Sequence, residues 1–214
     1  MSDPAQFVLS NTLLQSTPLL PEIKLHLASQ VTPLWEATEA SLQKEGLPPP
    51  YWAFAWVGGQ AVSRYLLDHP DTVKDLRVLD FAAGSGVAGI AAALAGAKSV
   101  EAAEIDAFSA AAIALNASVN NVGVSVCLSD LVGAAGRWDV VLAGDVCYER
   151  PMAERVFAWL VKLNKGGARI ILGDPGRAYL PQSGLKELAR FDVPTTRDIE
   201  DKDMRTAIVY EVRP

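Results

Sequence analysis

Residues 80–89 read DFAAGSGVAG and set an aspartate, Asp80, ahead of three glycines, Gly84, Gly86 and Gly89, in the spacing G-x-G-x-x-G. Such a turn lets the backbone approach a ligand closely, and the helix that follows offers its N-terminus to an anion. Asp80 works against a phosphate at that point, because a carboxylate at the mouth of an anion site opposes the positive end of the helix. It either caps the helix or receives a cationic group of the ligand. Glu104 follows Gly84 at about 20 residues, the separation at which an acid ending the next strand meets ribose hydroxyls. Further on, Asp145-Val146-Cys147-Tyr148 holds a carboxylate three residues from a phenol. If an amine attacks in an in-line displacement, a carboxylate beside it stabilises the positive charge that develops on nitrogen. One well-aimed group of this kind contributes about 3 to 4 kcal/mol. Tyr148 adds orientation by hydrogen bonding or stacking beside the amine's stem. Whether Asp145 also takes a proton stays open, since a carboxylate raises an amine's pKa while a desolvating aromatic wall lowers it.

The elements that must position these residues are legible as alternating patterns. Residues 1–70 are expected to form an N-terminal helical cap. It would hold one helix over 32–46, begun by Thr32-Pro33, and another over 60–67, separated by the proline and aromatic stretch GLPPPYWAFAWVGGQ. Residues 71–214 alternate strand and helix: RVLDF, a helix over 87–94, SVEAAEI, a helix over 107–121, VSVCL, WDVVLAG, a helix over 152–163 and ARIILG. Parallel strands need long crossovers, so this alternation predicts a parallel sheet with helices on both faces. After a helix expected over 184–189, RFDVPT and RTAIVYEV suggest a terminal strand pair. The fold class is therefore α/β, a seven-stranded Rossmann-like sheet, mostly parallel, with antiparallel pairing at its end and the helical cap packed on it as one structural unit.

In such a sheet the ligand lies beyond the carboxyl ends of the strands. Five groups of residues gather there: 80–86, Glu104 with Asp106, Ser129-Asp130, 145–148 and 174–177, and each contains an acid. So many carboxylates suit a ligand with an amino group, a ribose and an adenine but no phosphate, which points to S-adenosylmethionine. Asp130 is either the partner of an adenine amino group or a turn residue. The aromatics Tyr51, Trp52, Phe54 and Trp56 are either core or a wall of the pocket.

Composition narrows the partners. The chain has 214 residues, 50% of them hydrophobic, and a net charge of −6, with no basic run to collect a phosphate backbone. No nucleic acid is expected as a partner, no membrane, and a monomer is expected. Cys127 and Cys147 lack metal-ligand or disulfide spacing, so no metal is expected. The first residues, MSDPAQFVLSNTLL, have no basic n-region, and no stretch reaches about 18 apolar residues; a cytoplasmic location follows as an expectation.

VLDFAAGSG, EAAEID and DVVLAGDVCYE, in that order and spacing, resemble the motifs of the seven-beta-strand methyltransferases over about residues 48–212. More narrowly, PPPYWAFAWVGGQAVSRYL with GDVCYE and LGDPGRAYLP resembles the protein lysine methyltransferases that carry an acid-x-x-Tyr signature after the fourth strand. Within them the chain is most similar to the enzymes that methylate the beta subunit of electron transfer flavoprotein. The resemblance implies S-adenosylmethionine as cofactor and a lysine-bearing protein substrate. It implies that Gly84 and Gly86 line the methionine part; Ala82 is expected at the cofactor beside them, and Asp80, from its place at the strand end, is the candidate for the ammonium. Glu104 with Ile105 then meets the ribose, Asp130 the adenine, Trp56 the cofactor's other side, and Asp145 with Tyr148 the substrate amine. Ala82 departs from the family, where glycine is frequent.

Other readings fare worse on the same residues. A nicotinamide-dependent dehydrogenase calls for a glycine directly after the first strand and a site free of surplus acids. An adenine-methylating enzyme acting on nucleic acid calls for prolines that DVCY lacks and a basic surface. A ribosomal protein or a small amine are alternative methyl acceptors, and a binding module without turnover is the non-enzymatic alternative. A Cys147 nucleophile has no histidine near it in sequence, and Arg177 is a candidate anchor for an acidic substrate loop or a cofactor carboxylate, with no role assigned.

Overall fold

The computed structural model describes residues 3–29, 34, 49–195 and 202–213. The chain starts with α1 (Pro4–Ser10), capped by Asp3, whose carboxylate accepts the Ala5 amide at 3.1 Å. An antiparallel hairpin follows, β1 (Leu13–Thr17) and β2 (Leu20–Leu27). The lead segment expected to be helical therefore contains strands. The reason is local: Ile23, Leu25 and Leu27 are buried while Lys24 and His26 between them are not, the two-residue period of a strand. The outer edge of β2 is closed by side chains. Asn116 and Asn120, one helical turn apart, accept the backbone N–H groups of His26 and Lys24 at 2.7 and 2.9 Å. The helix expected over 32–46 lies, Leu34 aside, outside the described residues. The helix expected over 60–67 is present and longer, α2 (Val57–Asp68).

Strands and helices then alternate: β3 (Arg77–Phe81), α3 (Val87–Leu94), β4 (Ser99–Glu104), α4 (Ala107–Val119), β5 (Ser125–Leu128), β6 (Val140–Gly144), α5 (Arg150–Lys165) and β7 (Arg169–Asp174). The chain closes with β8 (Leu185–Pro194) and β9 (Met204–Val212). The seven strands β3 to β9 form one sheet in the order β5-β4-β3-β6-β7-β9-β8, parallel from β5 to β7 and antiparallel at β7-β9 and β9-β8. The seven-stranded, mostly parallel sheet expected from the sequence is the sheet observed.

Both faces of the central strands are covered, which is why they read as continuous apolar runs. Leu79, Val141, Ile170 and Leu172 point to one side, where α5 supplies Val156, Trp159, Leu160 and Leu163. Val78, Val140, Leu142 and Ile171 point to the other, against α2 and α3 through Val62, Leu66, Ala88 and Ala92. Each fully buried large side chain contributes about 1.5 to 3 kcal/mol. α4 is started by Asp106, which accepts the Phe108 and Ser109 amides at 2.9 Å. The end of α5 is set by Gly166 and by Gly167 at φ +102°.

One expected helix is a strand. Over 184–189, Leu185 and Leu188 stand at helical spacing, yet β8 pairs with β9 along its whole length, with a register shift between Glu187 and Ala189. Pairing with a distant segment overrides the local preference.

Candidate functional site

β3 stands between β4 and β6, so the connections leave it in opposite directions and a crevice opens beyond its carboxyl end. The turn after β3 is tightly wound. Ala82 has φ +52°, Gly84 +54° and Gly86 +78°, the last starting α3 as its N-cap. Ala82 thus occupies a left-handed position that glycine takes freely and alanine takes at roughly 1 to 2 kcal/mol. The departure at this position is a matter of backbone strain.

A cavity of about 460 Å³ occupies the crevice. It is lined by Trp56, Ala82, Gly84, Glu104, Ile105, Asp130, Asp145 and Tyr148 among others, so eight of the ten residues expected at the site line one cavity. The two that do not are Asp80 and Gly86. Asp80 is buried, and its Oδ2 accepts the Gly89 amide at 2.7 Å. It takes the helix-capping alternative, turned into the first turn of α3. Burial pushes its carboxyl up to about 8, against the Gly89 hydrogen bond, which lowers it. Gly86 shapes the turn from behind; a Cβ there would lie 3.1 Å from Ile113.

Glu104 is held at the rim of the turn. Its Oε1 accepts the Gly84 N–H at 2.6 Å and its Oε2 the Ile105 N–H at 3.1 Å, while burial raises its pKa more than these bonds lower it. Asp130 is a turn residue that also reaches the cavity wall. Its Oδ1 accepts the Val132 amide at 2.9 Å in a turn, and its Oδ2 pairs with Arg155 at 2.8 Å on the cavity wall. The aromatic stretch divides as well: Trp52 is core at 1% exposure, whereas Tyr51 and Trp56 line the cavity, joined by a Trp56 Nε1–H bond to the Tyr51 carbonyl at 2.8 Å. Tyr148 leans on Tyr51 with ring centroids 6.0 Å apart.

Asp145 directly follows β6 at φ +55°, a left-handed conformation that aspartate tolerates and that recurs at functional sites. That turn aims its carboxylate at the N-terminus of α2, where Oδ2 accepts the Gly58 and Gly59 amides at 2.5 and 3.2 Å. Oδ1 takes Nε and a terminal nitrogen of Arg177 at 3.1 and 2.8 Å. Burial raises the carboxyl to about 6, with Arg177 opposing. The Tyr148 hydroxyl is pushed up to about 12, chiefly by burial, and stays protonated. Cys147 is buried and its thiol is pushed up to about 12 by burial and by Asp174 and Asp145, which leaves it no nucleophile at neutral pH.

Sequence reasoning missed the pairing of Asp145 with Arg177 and the service of Gly58 and Gly59 as amide donors. It also missed Asn116, whose Nδ2 donates to the Ser85 carbonyl at 2.8 Å while its oxygen serves β2. The sequence carried a signal for Arg177, which follows a strand end, and none for the other three.

The ribosomal protein L11 methyltransferase (PrmA) family model matches residues 61–148. The electron transfer flavoprotein beta subunit lysine methyltransferase of Danio rerio is 34% identical over 216 residues, which cover 97% of this chain and 83% of that protein. The chain belongs to this family of lysine methyltransferases. The electron transfer flavoprotein beta subunit lysine methyltransferase of Homo sapiens is 32% identical over 219 residues, covering 97% of this chain and 81% of that one. Among solved structures, the magnesium protoporphyrin IX methyltransferase of Synechocystis PCC 6803 with bound SAM has a TM-score of 0.57 at 20% identity, over 100% of this chain and 99% of that one. For a lysine methyltransferase of this family, the acid-x-x-Tyr signature at Asp145 and Tyr148 thus lies on the cavity wall.

Proposed function

We propose that the chain transfers the methyl group of S-adenosylmethionine to lysine side chains on the beta subunit of electron transfer flavoprotein. The names of the relatives support this substrate. The observation that carries the cofactor is the charge of the wall. Among the described residues Glu104, Asp106, Asp130 and Asp145 share the cavity wall with two cations, Arg155 and Arg177, and both of these are engaged, by Asp130 and Asp145. A diphosphate would meet surplus negative charge there, whereas an adenosine bearing an ammonium and a sulfonium meets the complementary sign. The cavity is also of the size that small-molecule sites have.

The cofactor, when bound, supplies an electrophilic methyl on sulfur. In this reading Glu104 receives the ribose hydroxyls, Asp130 the adenine amino group, and Ala82 and Gly84 present backbone to the methionine part, with Trp56 across from them. Tyr51 and Tyr148 flank the path of the lysine stem. Phe81, Val146, Met152 and Val156 exclude water from the same space. Asp145 acts as a fixed negative charge near the nitrogen. It is a poor base for a protonated lysine: its carboxyl titrates at about 6, roughly 4 units below the usual lysine value, a gap of about 6 kcal/mol. The proton therefore leaves to water before the amine is enclosed, and Asp145 answers the charge that returns as the bond to carbon forms.

The reading also holds the chain to be a cytoplasmic monomer that acts on protein alone. Among the described residues no helix is long and apolar enough to cross a membrane. The deciding experiment incubates the protein and methyl-labelled S-adenosylmethionine with the flavoprotein beta subunit and, separately, with ribosomal protein L11, then locates label by mass spectrometry. Label on lysines of the flavoprotein subunit is expected. Label on the ribosomal protein alone rejects the substrate; cofactor binding with no transfer to either rejects this enzymatic reading in favour of a binding module.

A further inference from the structure

Arg177 has no task in the mechanism so far, yet it is the most constrained cation of the cavity wall. Its backbone N–H and that of Gly176 are accepted by Oδ1 of Asp174 at 2.6 and 2.7 Å, and Asp174 is fully buried at the end of β7. Its guanidinium lies 6.0 Å from the centre of the Trp56 ring. From that position it donates twice to a single oxygen of Asp145, in an ion pair whose side chains are 18% and 9% exposed. The other oxygen is taken by the amides that begin α2. Asp145 is thus fastened from two elements, and among the described residues its cationic neighbour is the one that β7 delivers. A buried carboxylate without a partner gives up its charge.

We propose that Arg177 is the positioning residue for Asp145, keeping its carboxylate charged and aimed at the cavity so that a carboxylate rather than a neutral acid meets the incoming amine. The proposal rests on the methyl-transfer reading for its catalytic consequence, and on geometry alone for the ion pair. A carboxyl that has given up its charge offers nothing to the positive nitrogen that forms; paired with Arg177, Asp145 keeps the negative charge that the transfer uses. The groups that face Asp145 are Arg177 and Asp174 at the end of β7, the thiol of Cys147 on its own loop, and the Gly58 and Gly59 amides of α2. Arg177 is the first among them in opposing the effect of burial on Asp145, and Asp174 works in the other direction.

The test compares wild type with Arg177→Met, Arg177→Gln and Arg177→Lys. The Asp145 carboxyl carbon is titrated by 13C NMR without substrate, its signal assigned by its loss in Asp145→Asn. Methyl transfer is measured against pH in parallel. Removing the guanidinium is expected to move the Asp145 midpoint upward by about one pH unit or more, and lysine to bring it back toward wild type. The acid limb of kcat/KM should move with it, so that the neutral variants regain rate as pH rises. A midpoint that stays in place in a folded neutral variant, or a loss of rate equal at every pH, overturns the proposal. Met and Gln are carried together so that poor folding of one leaves the other to decide. The NMR midpoint judges Arg177 even if the flavoprotein subunit proves the wrong substrate, so the two failures are distinct.

Discussion

The backbones of Gly58 and Gly173 approach so closely that a Cβ on either one would lie 2.2 Å from the carbonyl oxygen of the other. This contact seats the first turn of α2 directly on the ends of β6 and β7, and it is what brings the Gly58 and Gly59 amides to Asp145. Gly144 belongs to the same seam, with 2.7 Å from its would-be Cβ to the Gly59 nitrogen.

Gly58→Ala or Gly173→Ala is therefore expected to force the helix off the sheet. Overpacking against backbone destabilises by about 1 to 3 kcal/mol, which for a chain of this size lowers the melting temperature by several degrees. Calorimetric melts of both variants check this, and turnover should fall along with stability because the Asp145 amide donors shift. Melts equal to wild type would mean that the seam is looser than the contact distances require.

Asp145→Asn removes the charge while keeping an acceptor for the Gly58 amide. Turnover should fall by about 10²- to 10³-fold, with cofactor affinity by isothermal calorimetry within a few-fold of wild type. Unchanged turnover would take Asp145 out of the reaction.

Glu104→Ala frees the Gly84 amide and opens the rim of the turn. A hydrogen bond to a charged group contributes about 1.5 to 3 kcal/mol, so cofactor affinity should weaken by roughly 10- to 100-fold. The rate at saturating cofactor should change much less, which separates binding from chemistry. Equal affinity in the variant would place the ribose elsewhere.

Asp80 gives a prediction with a definite sign in pH. Its carboxyl stands at about 8 in the folded protein because of burial, against about 3.9 in an unfolded chain. A raised value means that the folded state favours the protonated acid; this stability is full below about pH 4 and is lost as pH climbs through about 8. Asp80→Asn, which keeps an acceptor for Gly89, should match wild type in acid and exceed it in melting temperature increasingly from pH 5 to pH 8, with no further gain above. A difference independent of pH would mean that Asp80 is already ionised when folded.

The alternating elements and the glycine turn were readable because each is encoded within a few residues. Apolar period, a capping aspartate at 106 and paired glycines at 166 and 167 act locally, and the strand ends they define place Glu104, Asp130, Asp145 and Tyr148 on one side of a parallel sheet. The hairpin of β1 and β2 is also written locally, in the alternation at Ile23, Leu25 and Leu27, where a helical cap is expected instead. Residues 184–189 misled for the opposite reason: their spacing fits a helix, and only pairing with β9 makes them a strand.

The sequence by itself thus determined the alternation of strands and helices from β3 to β7 and the family of chemistry, since these follow from local periodicity and from which residue types end each strand. Only the tertiary structure decided that Asp80 turns into α3, that Trp52 is core while Trp56 is wall, and that Arg177 and the Gly58 amide hold Asp145. These contacts join residues 32 and 87 positions apart, and no local pattern encodes them. They arise when the crossing of β6, β7 and α2 brings the partners within hydrogen-bond range in a space too small and dry to leave a charge unpaired.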